Sequence, residues 1–284
     1  MCGIYNQNKR ATAHSGVAMN IYHMSYTEKF AGERMAMLSF KGCNFHCIGC
    51  IRERTEYDIY AEERRYIDWN FENILKELKA LNPHRVYLGG YEPTLDPDLI
   101  TIIKDIAKLD PHIHIVLMTN GSRIDEQYAM ELKEAGVNEV IVSVKAFDRD
   151  KHLYYTKRSN EPVLNAIKNL AAIEDAYFRL QVETILLPGI NEPTDIEELA
   201  IFISEINPAI SLFIEPWIPT PGVEFEEPKK HDLIDVVSRA MKHLYVVSYH
   251  PLYSEIKKIR ETPVKAKFIE ILPKQEQQHE KPFL

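Results

Sequence analysis

Apolar positions along the chain switch between two periods. Short apolar runs at Met35–Phe40, Arg85–Leu88, His114–Met118, Val140–Val144, about Leu180–Leu187 and Ile210–Ile214 read as strands bounded by turn residues. Between them apolar residues recur at helical spacing: Phe71, Ile74, Leu75, Leu78 and Leu81, then Ile103 and Ile106, Tyr128 and Leu132, and Val163, Leu164, Ile167 and Leu170. A last helix carries Leu233, Val236, Val237, Ala240, Met241 and Leu244 on one side. The punctuation agrees. Glu72 suits the positive end of its helix, Asp96-Pro97 reads as an N-cap followed by proline, and Gly136 reads as a left-handed stop. Pro162 precedes one helix, and Thr194-Asp195-Ile196-Glu197 fits a capping box at the start of another.

Six consecutive strand-helix units with short connections require parallel strands. The order fits a barrel, complete or partial, or an open doubly wound sheet, and both place their sites at the C-terminal ends of strands. Residues 1–33 show no steady period and read as an N-terminal extension draped over a core spanning 34–250. Within 251–284, and just before it, Phe268–Leu272 and Tyr245–Ser248 read as extra strands, and the final dozen or so residues are polar.

Composition narrows this picture only slightly. With 284 residues, 45% hydrophobic and 27% charged, the chain suits one main globular domain with a substantial core. No stretch has the apolar length of a bilayer span and the start lacks a signal-peptide pattern, so a cytoplasmic location without membrane contact is expected. A net charge of −8 argues against a broad nucleic-acid-binding face. The one basic cluster, Lys145, Arg149, Lys151, Lys157 and Arg158, fits a solvated loop or an anion-facing one.

The cysteines change the picture more. Of four in the chain, three fall at Cys43, Cys47 and Cys50, at the end of the first strand. Such a loop can wrap three thiolates round one inorganic centre, either zinc or an iron-sulfur cluster. The fourth ligand then comes from elsewhere, with Cys2 or His46 as candidates for zinc, or one corner is left open for something else. Gly89-Gly90, Asn120, Lys145 and Gly189 fall at strand ends on the same edge as the cysteines.

Together these residues resemble the radical S-adenosylmethionine (SAM) enzymes: Cys43-xxx-Cys47-xx-Cys50, then Gly89-Gly90-Tyr91-Glu92-Pro93, Thr119-Asn120-Gly121, Lys145 and Pro188-Gly189. Within that superfamily the order most resembles the activating enzymes of glycyl radical enzymes, over roughly Met35 to Gly222. The resemblance implies an α/β fold, a partial (β/α)6 TIM-type barrel with an N-terminal extension and additional C-terminal strands. It implies a [4Fe-4S] cluster on the three cysteines, SAM on the remaining iron, and reductive cleavage of SAM to a 5′-deoxyadenosyl radical for hydrogen abstraction. A low-potential electron donor of flavodoxin or ferredoxin type would feed it.

Carried over by position, Gly89 and Gly90 would bring backbone carbonyls to the SAM amino group, with Glu92 and Pro93 holding the turn. Asn120 would contact SAM near the cluster, Lys145 would meet its carboxylate, Glu183 would take the ribose hydroxyls, and Pro188, Gly189 and Ile190 would line the adenine. Three departures stand out. Relatives commonly have an aromatic residue where this chain has Gly49, with Phe45 as a candidate to compensate. Tyr91 interrupts the usual Gly-Gly-Glu-Pro, and Ser143 stands where activases often have Asp.

With three thiols on the cluster only Cys2 remains, which disfavours reactions needing a second cluster or a pair of catalytic cysteines. A glycine in a protein partner and a small molecule undergoing rearrangement or ring chemistry stay open as substrates, beside a non-catalytic iron-sulfur or zinc module. His112 and His114, near a strand start, read as structural, and Trp217 as core or loop packing.

Overall fold

The six strands and the helices that the two hydrophobic periods predict are present, with further elements between and beyond them. The computed structural model describes residues 20–30, 33–54, 63–220, 222–255 and 267–274. It begins with β1 (Ile21–Phe30), β2 (Glu33–Phe40), α1 (Ile51–Arg54), β3 (Glu63–Ile67) and α2 (Phe71–Leu81). Next come β4 (Arg85–Gly90), a 3-10 turn (Pro93–Leu95), α3 (Leu99–Ala107), β5 (His114–Thr119), α4 (Glu126–Ala135) and β6 (Glu139–Val144). The chain continues through α5 (Arg149–Thr156), α6 (Glu161–Ala171), β7 (Arg179–Leu186), α7 (Pro193–Ile206), β8 (Ser211–Pro216), α8 (Lys230–Ala240), β9 (Val247–Tyr249) and β10 (Phe268–Pro273).

All ten strands form one sheet in the order β3-β10-β1-β2-β4-β5-β6-β7-β8-β9. Every neighbouring pair from β2 to β9 is parallel, as consecutive strand-helix units require. The strand β1 runs antiparallel to β2 and β10, and β10 runs parallel to β3. The edge strands β3 and β9 do not pair with each other, so the fold is α/β with a partial, unclosed barrel sheet. Its helix-side face is apolar: Leu38, Leu88, Leu117, Val142, Val182 and Ile214 are fully buried with Ile74, Ile103, Leu132, Ile167, Ile203 and Val236 of the helices. Each such side chain stabilises the fold by about 1.5–3 kcal/mol relative to exposure. Residues of alternate parity, such as Gln181 and Glu183 on β7, face the other, partly open side. Among the described residues no helix is long and apolar enough to cross a membrane.

Four local expectations are corrected. Residues 21–30 form a long central strand rather than lying in a patternless extension, because β-bulges between Ile21 and His23 and between Thr27 and Phe30 break the two-residue period. His23 is moreover buried beside Glu270 at 3.4 Å, so polarity does not mark its exposed face. The basic stretch Arg149–Thr156 is the helix α5, not a loop; it has no apolar stripe and is defined by its ends. Asp148 accepts from the Lys151 amide at 2.8 Å, and Lys157 terminates it at φ 62°. The capping box of α7 lies two residues earlier than expected, with the Glu192 amide donating to Asp195 at 2.8 Å and Pro193 in the first turn, where no amide donor is missed. Asp98, not Asp96, stands at the N-cap of α3, which begins only at Leu99; Asp96 instead accepts from the Asp98 amide at 2.8 Å in the turn before it.

Candidate active site at the strand ends

The cysteine loop leaves β2 and is held from three sides. From β4, the Glu92 amide donates to Gly42 O at 2.9 Å and the Tyr91 amide to Phe40 O at 3.2 Å. From α5, the carbonyls of Thr156 and Tyr155 accept from the His46 and Ile48 amides, each at 2.9 Å. These carbonyls are among the last of their helix and lack intrahelical donors, so the helix end and the loop satisfy each other. From beyond β5, Asn120 Nδ2 donates to Asn44 Oδ1 at 2.8 Å and approaches Cys43 Sγ at 3.8 Å. The Phe45 amide also donates to Cys43 Sγ, at 3.3 Å.

All three loop cysteines are free and half-buried. Burial pushes the Cys47 thiol up to about 12, opposed by the charge of Lys145, and burial also raises Cys43. Thiols placed like this ionise only against a positive centre. Amide donors aimed at sulfur are the groups that tune thiolate ligands of iron-sulfur clusters. Among the described residues no three His, Cys, Asp or Glu side chains converge on a single metal ion. Thiols that each serve a different iron have no need to converge, so this donor set fits a cluster; the zinc alternative through His46 finds no ready cage, and Cys2 lies outside the described residues.

Glu92 is 1% exposed, and both its oxygens are occupied. Oε1 accepts from Thr94 N at 3.1 Å, Thr94 Oγ1 at 2.6 Å and Thr119 Oγ1 at 2.6 Å, while Oε2 accepts from Asn120 N at 2.6 Å. Burial raises its carboxyl and these donors pull it back. Despite the interrupting Tyr91, the side chain therefore clamps the ends of β4 and β5 together. Gly90 adopts φ +95°, and a Cβ there would meet Phe40 N at 2.8 Å and Phe40 O at 3.0 Å. The close approach that demands glycine at this position is thus to the backbone of β2. At Gly89 the neighbours are Met37 and Met118.

Ser143, Lys145 and Glu183 come together. Ser143 stands opposite Glu183 in the β6–β7 register and donates to its Oε1 at 2.8 Å; Lys145 Nζ donates to Ser143 Oγ at 2.6 Å and lies 3.6 Å from Glu183. Glu215 on β8, which the sequence did not single out, belongs to the same group of charges. Its carboxyl is pushed up to about 7, first by burial and then by the charge of Glu183, with Lys145 opposing. After β7, Pro188 and Gly189 occupy a tight turn in which the Gly189 amide donates to Glu192 at 2.6 Å. Asn191, buried and also missed, ties that turn down through Nδ2 to Ile185 O at 2.6 Å and Thr184 Oγ1 at 3.1 Å.

Phe45, the candidate to compensate for Gly49, is buried. It packs into the main core, edge-on to His152 at 5.7 Å. The ring beside Gly49 belongs to Trp217. The basic cluster also divides: Lys151 pairs with Asp195 at 2.6 Å, and Arg158 Nε donates to Asn44 O at 2.9 Å. His114 pairs with Glu139 at 3.2 Å at the opposite end of the strands from the cysteines.

Comparison with known proteins agrees with this geometry. A Methanocaldococcus jannaschii protein named among the glycyl-radical enzyme activating enzymes is 28% identical over 235 residues, covering 82% of this chain and 85% of its own. The GTP 3′,8-cyclase of Aquifex aeolicus is 28% identical over 180 residues, and the chain spans about half that protein's length, 53%. Among solved structures, a domain of pyruvate-formate lyase-activating enzyme from Bacteroides vulgatus superposes with a TM-score of 0.50 at 19% identity, over 58% of this chain and 98% of that one. SuiB of Streptococcus suis gives 0.57 at 15% identity, over 75% of this chain and 50% of its own. The family model of the radical SAM superfamily matches residues 37–203, more than half of the 284, and takes in the cysteine loop, the Glu92 clamp and the Ser143–Lys145–Glu183 group; the chain belongs to that superfamily.

Proposed function

We propose that this enzyme abstracts hydrogen from a glycine of a partner protein, as an activating enzyme of a glycyl radical enzyme. The observation that carries this reading is the likeness to the M. jannaschii relative over most of both chains, 82% of this chain against 61% for the A. aeolicus cyclase. The unclosed sheet supports it too, since a lumen open along one side admits a loop of a partner.

When bound, the [4Fe-4S] cluster and SAM supply one-electron cleavage of a carbon-sulfur bond and hydrogen abstraction. The chain's own residues bind, orient and exclude water. Cys43, Cys47 and Cys50 would hold the cluster, with Asn120 and the Phe45 amide, which approach Cys43 Sγ, tuning that ligand. Gly89 and Gly90 offer backbone carbonyls to the SAM amino group, while Glu92 keeps that edge in place. Lys145 would neutralise the SAM carboxylate, and Ser143, accepting from Lys145 and donating to Glu183, holds the two side chains in register. Glu183 accepts from the ribose hydroxyls, and Pro188, Gly189 and Ile190 line the adenine. A flavodoxin- or ferredoxin-type donor in the cytoplasm would supply the electron.

A second reading, a small-molecule substrate, is favoured by the cyclase relatives. The two are separated by anaerobic reconstitution with iron and sulfide, followed by SAM and a strong reductant. Release of 5′-deoxyadenosine, lost on changing any one of Cys43, Cys47 or Cys50 to Ala, is expected. A glycyl radical signal in an added glycyl radical enzyme supports the first reading. Turnover that needs only the low-mass fraction of an extract supports the second and sinks the first.

A further inference from the structure

The cysteine loop lacks a side chain at Gly49, and another strand fills the gap. Gly49 has φ +70°, a conformation that side chains rarely adopt. A Cβ there would overlap Trp217 Cη2 and lie 3.3 Å from Cζ2. Trp217 follows β8, its amide donating to Leu186 O at 2.9 Å and its ring standing edge-on to Phe225 at 5.5 Å. Although 2% exposed, it does not belong to the main core. It forms a separate apolar cluster with Tyr155 and Leu187, against which Cys47, Ile48 and Ile190 pack. That cluster therefore joins the cysteine loop to the turn assigned to the adenine.

The indole nitrogen distinguishes this ring from filler. Among the described residues Trp217 Nε1 is buried without a hydrogen-bond partner. A phenylalanine would fill the same space without leaving a desolvated donor unmade. The ring atom nearest Gly49 is Cη2, at the tip of the six-membered ring, followed by Cζ2, the carbon next to the one that carries Nε1. Buried donors left unpaired in a folded chain call for an acceptor from outside it.

We propose that Trp217 is a SAM-binding residue: its ring forms the wall that Gly49 leaves open, and its N–H donates to an acceptor on bound SAM. This rests on the reading of the strand-end site as the SAM site. It also explains why glycine stands before Cys50, since loop and indole cannot both occupy that space.

The test is SAM affinity of the reconstituted protein, by equilibrium dialysis with labelled SAM, alongside iron content. Trp217→Phe, which keeps a ring and removes the donor, is expected to retain iron and to weaken SAM binding roughly three- to tenfold. Trp217→Ala, which removes the wall as well, should weaken it by about a further tenfold. Trp69, the other of the two tryptophans, donates to Ile21 O at 2.7 Å. In a Trp69→Phe chain the emission of Trp217 alone should therefore change when SAM is added, which covers the case in which the Ala variant misfolds. Native SAM affinity in the Phe or Ala variant, or emission indifferent to SAM while SAM binds, overturns the assignment with the site reading intact. A parent chain that takes up neither iron nor SAM overturns the site reading itself.

Discussion

Replacing Glu215 by Gln should make the protein's stability less sensitive to alkaline pH. The carboxyl lies on β8 among Glu183 and Lys145 and is raised from 4.5 to about 7, by burial first and by the charge of Glu183 second. An acid whose native value is raised binds its proton more tightly folded than unfolded. Its favourable contribution is complete below 4.5 and is lost as pH rises through about 7. At 1.36 kcal/mol per pH unit, the loss between these limits is roughly 3 kcal/mol. Anaerobic urea melts of the cluster-free parent and of Glu215→Gln between pH 5 and pH 8.5 measure it, and taking the difference cancels the groups common to both. The variant should gain on the parent by about 2–3 kcal/mol from pH 5 to pH 8.5. In a Glu183→Gln background the gain should shrink and its midpoint move to lower pH. A parent and variant whose stabilities run parallel across this range would falsify the reasoning.

Three further substitutions probe the frame of the site. Gly90→Ala places a Cβ 2.8 Å from Phe40 N at φ +95°; backbone cannot step aside, so a loss of about 2–4 kcal/mol in urea melts is expected, and a loss below about 0.5 kcal/mol contradicts the close approach. Glu92→Gln turns an amide donor toward one of the donors that now point at the carboxylate, leaving a buried N–H unmade. It should cost about 1–3 kcal/mol and lower iron uptake through Asn120; unchanged melts and iron content argue against the clamp. Asn191→Ala removes the two bonds that anchor the turn after β7 and should destabilise by about 1–3 kcal/mol, with SAM affinity falling more than iron content. The reverse order would place the turn away from the adenine.

The parallel core was legible because each strand in it carries its own signal. Leu38, Leu88, Leu117, Val142, Val182 and Ile214 lie in local apolar runs, and their burial needs no knowledge of the partner. β1 was not legible, since its bulges and the buried His23 make sense only once β10 brings Glu270 alongside. The helix α5 was missed for a related reason: its buried residues are His152, Tyr155 and Thr156, and what they serve is the cysteine loop, more than a hundred positions earlier in the chain. Glu215 and Trp217 carry no pattern of their own, and their character comes from Glu183 and Gly49, supplied by other elements.

By itself the sequence determined that three thiols share one loop and that the glycines, Asn120 and Lys145 fall at strand ends, since these are properties of neighbours in the chain. The tertiary structure decided how that loop is walled and held. The three-residue group Ser143, Lys145 and Glu183, the clamp of Glu92 across β4 and β5, and the indole of Trp217 over Gly49 all join residues distant in sequence. Periodicity reports which face of an element is buried, but not which side chain from another strand will arrive there.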